Sequence, residues 1–590
     1  MSQAIQTPVW DLTPFFPTIE SQEFEISVAE LKTLVDQAES MVNDLAMEDV
    51  TTSASPDQLA AAINLSNEIG AASRVIFGYL NLKIAADASD AVAQAKLSEF
   101  KPLQTRISKF STAMIAWIGQ SDVESAISTH PICADHAFPL RKSKTKATHL
   151  MSGPEERLAA DLSESGDSAW SKLYFDFSSN IEVTVGDESV PMSAARAMAF
   201  HADADIRRDA YHAELNAWKA NELPIAACLN SIKGANNLLA EKRGWGEQLD
   251  ITLFNCNMDR ESLEAMLDAA RDSFPVFRKY LRAKGEALGH SSGLPFYDIF
   301  APMGADRDWS WDRATEFVEE GFRSYSDKLG DFARRSFDEN WHDVPPRKGK
   351  RDGAFCSGVR GDESRMLHNY KESFKSVSTL AHELGHAYHN VCLKDRTSMQ
   401  KSTPMTLAET ASIFCETIIK RRALKETSGD ERLAILEASI QGECQVVVDI
   451  TSRYFFESNV IAKRKERELS AAEMCEIMVA AQRDTYGDGL DPDLLHPYMW
   501  AVKPHYYGYM AFYNFPYMFG LLFALGLYRI YEAEPNGFHA RYDDLLSSTG
   551  MYMAADLTDR FGINIRDKAF WAGSLAVVED DIKQFLQAVK

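Results

Sequence analysis

The nine residues from Ala381 to His389, AHELGHAYH, carry the most explicit chemistry in the chain. His382 and His386 are four apart, so on an α-helix their imidazoles leave the same face and can grip one cation together. Glu383 follows the first of them, where its carboxylate can lie beside a water held by that cation and take its proton. Five-residue patterns arise by chance in long chains. This one describes a hydrolytic zinc site only if the chain also supplies a third ligand, an open coordination position, and donors for the oxyanion formed during attack on a carbonyl.

A third ligand can come in two ways. A histidine six residues past His386 would be one, but Cys392 stands there and His389 replaces the usual preceding glycine, so that arrangement fails. A glutamate from a separate downstream helix is the other. Leu407 to Glu416 fits it: Pro404 marks a break, and the apolar residues that follow have helical spacing. Glu409 and Glu416 are seven apart and face the same way. Glu409 can ligate the metal, and Glu416 can accept a hydrogen bond from the free ring N–H of a ligand histidine. A solvated helix face is the plain alternative for both. Leu407, Ile413 and Phe414 argue against it, because they sink the helix into the core, where a carboxylate needs a partner. His389 lies near the motif's face and can pack or hydrogen-bond beside the metal, but a fourth protein ligand would close the site.

A dense aromatic block, His505 to Tyr517 (HYYGYMAFYNFPY), is the candidate for the oxyanion side. Such a stripe is commonly core. Its five tyrosines, Tyr506, Tyr507, Tyr509, Tyr513 and Tyr517, carry hydroxyls that need partners when buried, which phenylalanines would not.

These residues must be held by helices. Val28, Leu31, Val35, Ala38, Val42 and Leu45 recur at three- and four-residue steps. Pro56-Asp57 opens a second helix with Leu59, Ala62, Ile63 and Ile69, and a third is expected from Ala91 to about Ile118. The chain resets at Ser152-Gly153-Pro154. Strand patterns are sparse: Ile181 to Val185 reads as one hairpin arm ending at Gly186-Asp187. Ala354 to Cys356 and Arg365 to Tyr370 read as strands of a small sheet beside the motif. Phe515 to Tyr528 is apolar but too short to span a bilayer, so it reads as a buried core helix.

With 590 residues the chain exceeds a single small core. Its formal charge of −24 excludes a broad nucleic-acid footprint and points, if anything, toward cationic peptides. The short basic run Arg347 to Arg351 reads as a solvated loop. Eight scattered cysteines without a C-x-x-C pair read as reduced thiols, and no secretory leader is visible, so a cytoplasmic protein without membrane attachment is expected.

The His382–His389 motif, the Glu409–Glu416 segment and the block near residue 505 together resemble the oligoendopeptidase F branch of the thimet-oligopeptidase family, zinc peptidases of short peptides. Trp10-Asp11-Leu12, Arg243-Gly244-Trp245, Tyr297-Asp298-Ile299 and Gly349 to Cys356 extend the likeness, which is best from about residue 150 onward. The resemblance implies a mainly α, elongated multi-helix body with a small β-sheet beside the active site and a deep substrate channel between two halves. It divides the chain into a helical region (1–120), an oligopeptidase F-like N-terminal domain (121–195) and a catalytic domain (196–590). It implies one Zn2+ per chain on His382, His386 and Glu409, with Glu383 as general base. His505, Tyr513 and Tyr517 are the best positional matches for oxyanion donors, and Tyr506, Tyr507 or Tyr509 could replace one of them. A strand near Arg365 to Tyr370 would align a short peptide by backbone pairing. The implied reaction is hydrolysis of internal bonds in unstructured peptides. The rivals are a dipeptidyl carboxypeptidase and a noncatalytic zinc- or peptide-binding protein.

Overall fold

The computed structural model describes residues 7–45, 53–305 and 307–590. Its first part is a stack of helices with clear sequence causes. Ser21 caps the helix Gln22–Asp44, whose buried stripe is Phe24, Val28, Leu31, Val35, Ala38 and Val42. Ser55 and Gln58 form a capping box around Pro56, and the long helix Pro56–Ala86 follows. The helix expected from Ala91 to Ile118 is two: Ala91–Glu99 and Lys101–Gln120, separated at Phe100. Pro102 has no N–H to offer the preceding turn, so the break falls where the second helix can begin.

The strands are few. β1 (Glu182–Val185) and β2 (Glu188–Pro191) form the expected hairpin, turning through Gly186 at a φ of 61°. β3 (His342–Asp343), β4 (Phe355–Arg360) and β5 (Glu363–Leu367) form a three-stranded sheet in the order β3-β5-β4, β3 parallel and β4 antiparallel to β5. Two hydrophobic cores meet at this sheet. One spans Trp10 to Leu140 and takes in Val359 and Leu367, and the other runs from Tyr174 to Phe585 and takes in Met366. Successive β5 side chains therefore enter opposite cores, as the two-residue period of a strand requires. The architecture is mainly α with small sheets, as expected.

The basic run is not a free loop. Arg347 and Lys350 both bind the buried Asp343 carboxylate, at 2.6 and 2.7 Å, and the Lys350 side chain is fully buried. All eight cysteines are unpaired. No helix among the described residues is long and apolar enough to cross a membrane.

Three helices frame the catalytic motif. The motif helix, Phe374–Cys392, lies against the glutamate helix, Thr410–Glu426, and this second helix packs on Phe515–Ala533. Glycines set both approaches. A Cβ on Gly385 would come within 2.5 Å of Ala411 O and Ser412 Cα, and one on Gly520 within 2.7 Å of Glu409 Cβ. The neighbours at Gly385 are mainly backbone, which cannot swing aside. Gly385→Ala should therefore cost about 1–3 kcal/mol by overpacking. It should lower the apparent melting temperature and weaken metal retention, because His386 and Glu409 sit on the two elements forced apart. Unchanged melting and metal content would show that the approach is not needed.

Candidate active site

His382 and His386 stand one helical turn apart on the motif helix, their ring centroids separated by 4.9 Å. Glu409 sits at the break between the short helix Met405–Ala408 and the glutamate helix, so its carboxylate turns back toward the histidines. Oε2 of Glu409 lies 3.3 Å from Nε2 of His382 and 3.3 Å from Nε2 of His386. Ligands bound about 2.0–2.1 Å from a tetrahedral zinc would be separated by roughly 3.3 Å, so this donor set fits such an ion. Among the described residues this is the one group of His, Cys, Asp or Glu side chains whose ligand atoms converge in this way. The side chains are 20–27% exposed, which leaves an accessible direction.

Carboxylates hold the donors in place. Oε2 of Glu416 is 3.3 Å from Nδ1 of His382, and the Ser378 hydroxyl donates to Oε1 of Glu416 at 2.8 Å. The Ser412 hydroxyl donates to Oε2 of Glu409 at 2.8 Å. Burial alone would disfavour a charged His382, but Glu409 and Glu416 outweigh it and lift its pKa to about 10. Burial also opposes the Glu409 charge, yet hydrogen bonds from His382 and His386 hold it well below the usual carboxylate range. The pocket thus favours a positive charge at the point where the three residues meet.

Glu383 is buried at 5% exposure, and its Oε2 has no hydrogen-bond partner. Burial raises its pKa, although the His382 and His386 charges oppose that rise. A carboxylate with one free oxygen and a raised pKa is suited to accept and return a proton.

The aromatic block divides sharply. Tyr506 and Tyr507 are fully buried: Tyr507 stacks on Tyr174 with centroids 3.5 Å apart and donates to Trp500 O, and Tyr506 packs against Phe456. Tyr509 is 91% exposed. The other three form a chain. His505 stacks on Tyr513 with centroids 4.9 Å apart, and the Tyr517 hydroxyl lies 3.3 Å from that of Tyr513. Tyr517 is one turn before Gly520, the residue pressed against Glu409, so it shares the helix face directed at the ligand carboxylate. Burial, then Tyr513 and the Glu409 charge, raise the Tyr517 pKa, so its hydroxyl stays protonated. Burial, reinforced by Arg453 and Lys503, lowers His505 to about 4, and its Nδ1 has no partner.

His389 lines the same cavity as the donor set, but its Nε2 is held by other partners. Its Nε2 lies 3.1 Å from Leu546 O and 3.0 Å from the Thr549 hydroxyl, and burial lowers its pKa to about 4. Cys392 points to Asp543, with Sγ 3.8 Å from Oδ1.

A cavity of about 530 Å3 opens beside His382, Glu383, His386 and Glu409 and is floored by Phe355, Cys356, Gly358 and Val359 of β4. The strand expected to align a peptide, Arg365 to Tyr370, is not at the cavity. β5 is the middle strand, with β3 and β4 occupying its two edges. β4 is the edge strand beside the motif helix, and a Cβ on Gly358 would lie 2.8 Å from the Asn390 side chain, so the glycine permits the close approach. The sequence marks two strand segments here, but strand order depends on which segments arrive beside them, and local sequence does not fix that.

The chain matches the family model described as Peptidase family M3 over residues 197–577, and that described as Oligopeptidase F over residues 115–182. It is 24% identical to the group B oligopeptidase PepB of Streptococcus agalactiae, over 97% of this chain and 95% of that protein. A solved structure from Chlamydophila abortus superposes with a TM-score of 0.84 at 20% identity over 98% of both chains. That of oligoendopeptidase-F from Enterococcus faecium gives a TM-score of 0.68 at 19% identity, over 96% of this chain and 99% of that one. The family model covers well over half of the sequence and includes the whole His-His-Glu donor set, so this chain belongs to peptidase family M3.

Proposed function

We propose that this metallopeptidase uses one zinc ion per chain to hydrolyse internal bonds of short, unstructured peptides, and that it does so in the cytoplasm. The observation that carries the reading is the pairing of tetrahedral-edge distances among His382, His386 and Glu409 with a buried, unpartnered oxygen on the adjacent Glu383. Zinc held there would supply a Lewis acid and make a water nucleophile available near neutral pH. Glu383 takes the proton of that water on its free oxygen and then delivers it to the leaving amine. Glu416 keeps His382 oriented through Nδ1. The Tyr517 hydroxyl, Tyr513 behind it and neutral His505 donate to the oxyanion, each such donor contributing roughly 3 kcal/mol. The free edge of β4 pairs with the extended peptide backbone, which reads length more than sequence. Division into 1–120, 121–195 and 196–590 is part of this proposal, supported by the separate family matches at 115–182 and 197–577.

Peptides blocked as C-terminal amides should be cut internally, whereas a stable folded protein containing the same cleavable sequence should survive. Mass spectrometry of the products decides between the readings. Strict release of C-terminal dipeptides, abolished by amidation, would select the carboxypeptidase reading. Binding without cleavage would select the noncatalytic one.

A further inference from the structure

The cavity beside the metal site is completed by a residue that lies outside both family matches. The helix Pro56–Ala86 crosses its rim and approaches the catalytic half through two glycines. A Cβ on Gly70 would lie 2.7 Å from Ser398 Cβ, and one on Gly78 would lie 3.7 Å from Val359 of β4. Asn67 fixes this crossing, since its side-chain oxygen accepts from Met399 N–H at 2.9 Å and its backbone carbonyl accepts from the Ser398 hydroxyl at 3.1 Å. Arg74 falls midway, four residues from each glycine, and so shares their helix face. The small residues bring the backbones together, and Arg74, the solvent-exposed long side chain between them, lines the cavity with β4 and residues 401–403.

Arg74 lines the same cavity as His382, Glu383, His386 and Glu409, as do Lys401 and Arg360. Arg360 is already engaged: its guanidinium donates to Pro14 O and Glu363 and lies over the Phe15 ring. Lys401 has a single carbonyl partner, Lys394 O at 3.2 Å. Arg74 has no hydrogen-bond or ion-pair partner among the described residues. Burial and the Arg74 charge together weaken the hold of Lys401 on its proton, against the opposing pull of Asp395, so the two cations sense each other across the cavity. On a chain of net charge −24, two under-compensated cations facing one cavity are not explained by the surface as a whole.

We propose that Arg74 and Lys401 form a carboxylate-binding subsite, so that the enzyme prefers peptides with a negative charge near the scissile bond. This deepens the peptidase reading and rests on it. It also reverses the expectation from net charge, which pointed to cationic peptides. The carboxylate can belong to an acidic side chain or to the peptide's own C-terminus. Arg74 supplies a planar fork that matches either one.

The test uses one internally quenched peptide in three forms. The first has glutamate scanned through positions flanking the cleaved bond, amidated. The second has glutamine there, amidated. The third is the glutamine form with a free C-terminus. The readout is the ratio of kcat/KM for each carboxylate form to that of the neutral amide, which cancels any loss of active enzyme. Arg74→Ala should lower the ratio about ten- to hundredfold for the source that is read, as loss of a charge-assisted hydrogen bond would. Arg74→Lys should restore much of it, and added salt should erode it in the wild type. Loss confined to the glutamate form assigns a side-chain subsite, and loss confined to the free-terminus form assigns an end-reading one. A ratio that is the same in wild type and Arg74→Ala overturns the subsite. Binding of the same peptides to Glu383→Gln protein, followed by fluorescence anisotropy, separates this from the reaction itself. Charge-dependent binding lost with Arg74→Ala, but with no cleavage by the wild type, would keep the subsite and reject the peptidase reading. Cleavage with charge-blind binding would do the reverse.

Discussion

Glu409→Ala should strip the protein of zinc and reduce peptide hydrolysis by at least about a thousandfold. Its Oε2 is the atom that both ligand imidazoles approach at 3.3 Å, so its loss leaves two ligands on one helix and none opposite. A metal acting as Lewis acid contributes several kcal/mol of charge stabilisation in the transition state, and each 1.36 kcal/mol is a factor of ten in rate. The structural cost should be modest. The carboxylate is about one-fifth exposed to the cavity, and Gly520 packs against its Cβ, which alanine retains. Metal content after dialysis and kcat/KM on an unstructured peptide check this, with Glu416→Ala as the graded comparison. That variant removes only the partner of His382 Nδ1, so it should keep the site and weaken metal affinity about 10–100-fold. A Glu409→Ala protein with full zinc and near-normal turnover would mean that the third ligand lies elsewhere.

The parts of the site that could be read from sequence are those fixed by local geometry. His382 and His386 had to share a face because helical spacing leaves no choice, and Glu383 had to stand beside them. Glu409 was legible because Pro404 broke the chain and the apolar spacing beyond it buried whatever carboxylate followed. Long-range packing was not legible. Arg365 to Tyr370 reads as a strand, yet β3 and β4 cover both sides of β5, and strand order depends on which segments arrive next to it. The tyrosines of the 506–517 block are chemically alike. Only the tight turn through residues 504–507 and the positive φ of Phe512 decide that Tyr506 and Tyr507 enter the core while Tyr513 and Tyr517 face the other way. Arg74 left a fainter trace: glycines four residues to either side, in a helix that gains nothing from glycine unless something presses against it. The basic run is a loop with Arg347, Lys348 and Arg351 exposed, as expected, but its anchor was not legible, because Asp343 is buried at the end of a two-residue strand that shows no alternation.

Glu383→Gln isolates the step on which the functional account depends. Glutamine keeps the volume of the side chain and can still occupy the buried position, but it cannot carry a proton from water to a leaving amine. Its neutral amide also removes the burial cost that raises the Glu383 pKa, so folding should not suffer. General acid–base catalysis contributes about 10²–10⁴ in rate, and kcat should fall by that amount while peptide binding persists. The most direct measurement takes one preparation of Glu383→Gln and determines both zinc per chain and kcat on an amidated, unstructured peptide. The predicted result is about one zinc per chain with turnover reduced at least a hundredfold. Full turnover would contradict the assignment of Glu383 as the base, and loss of the zinc would show that it is a ligand instead.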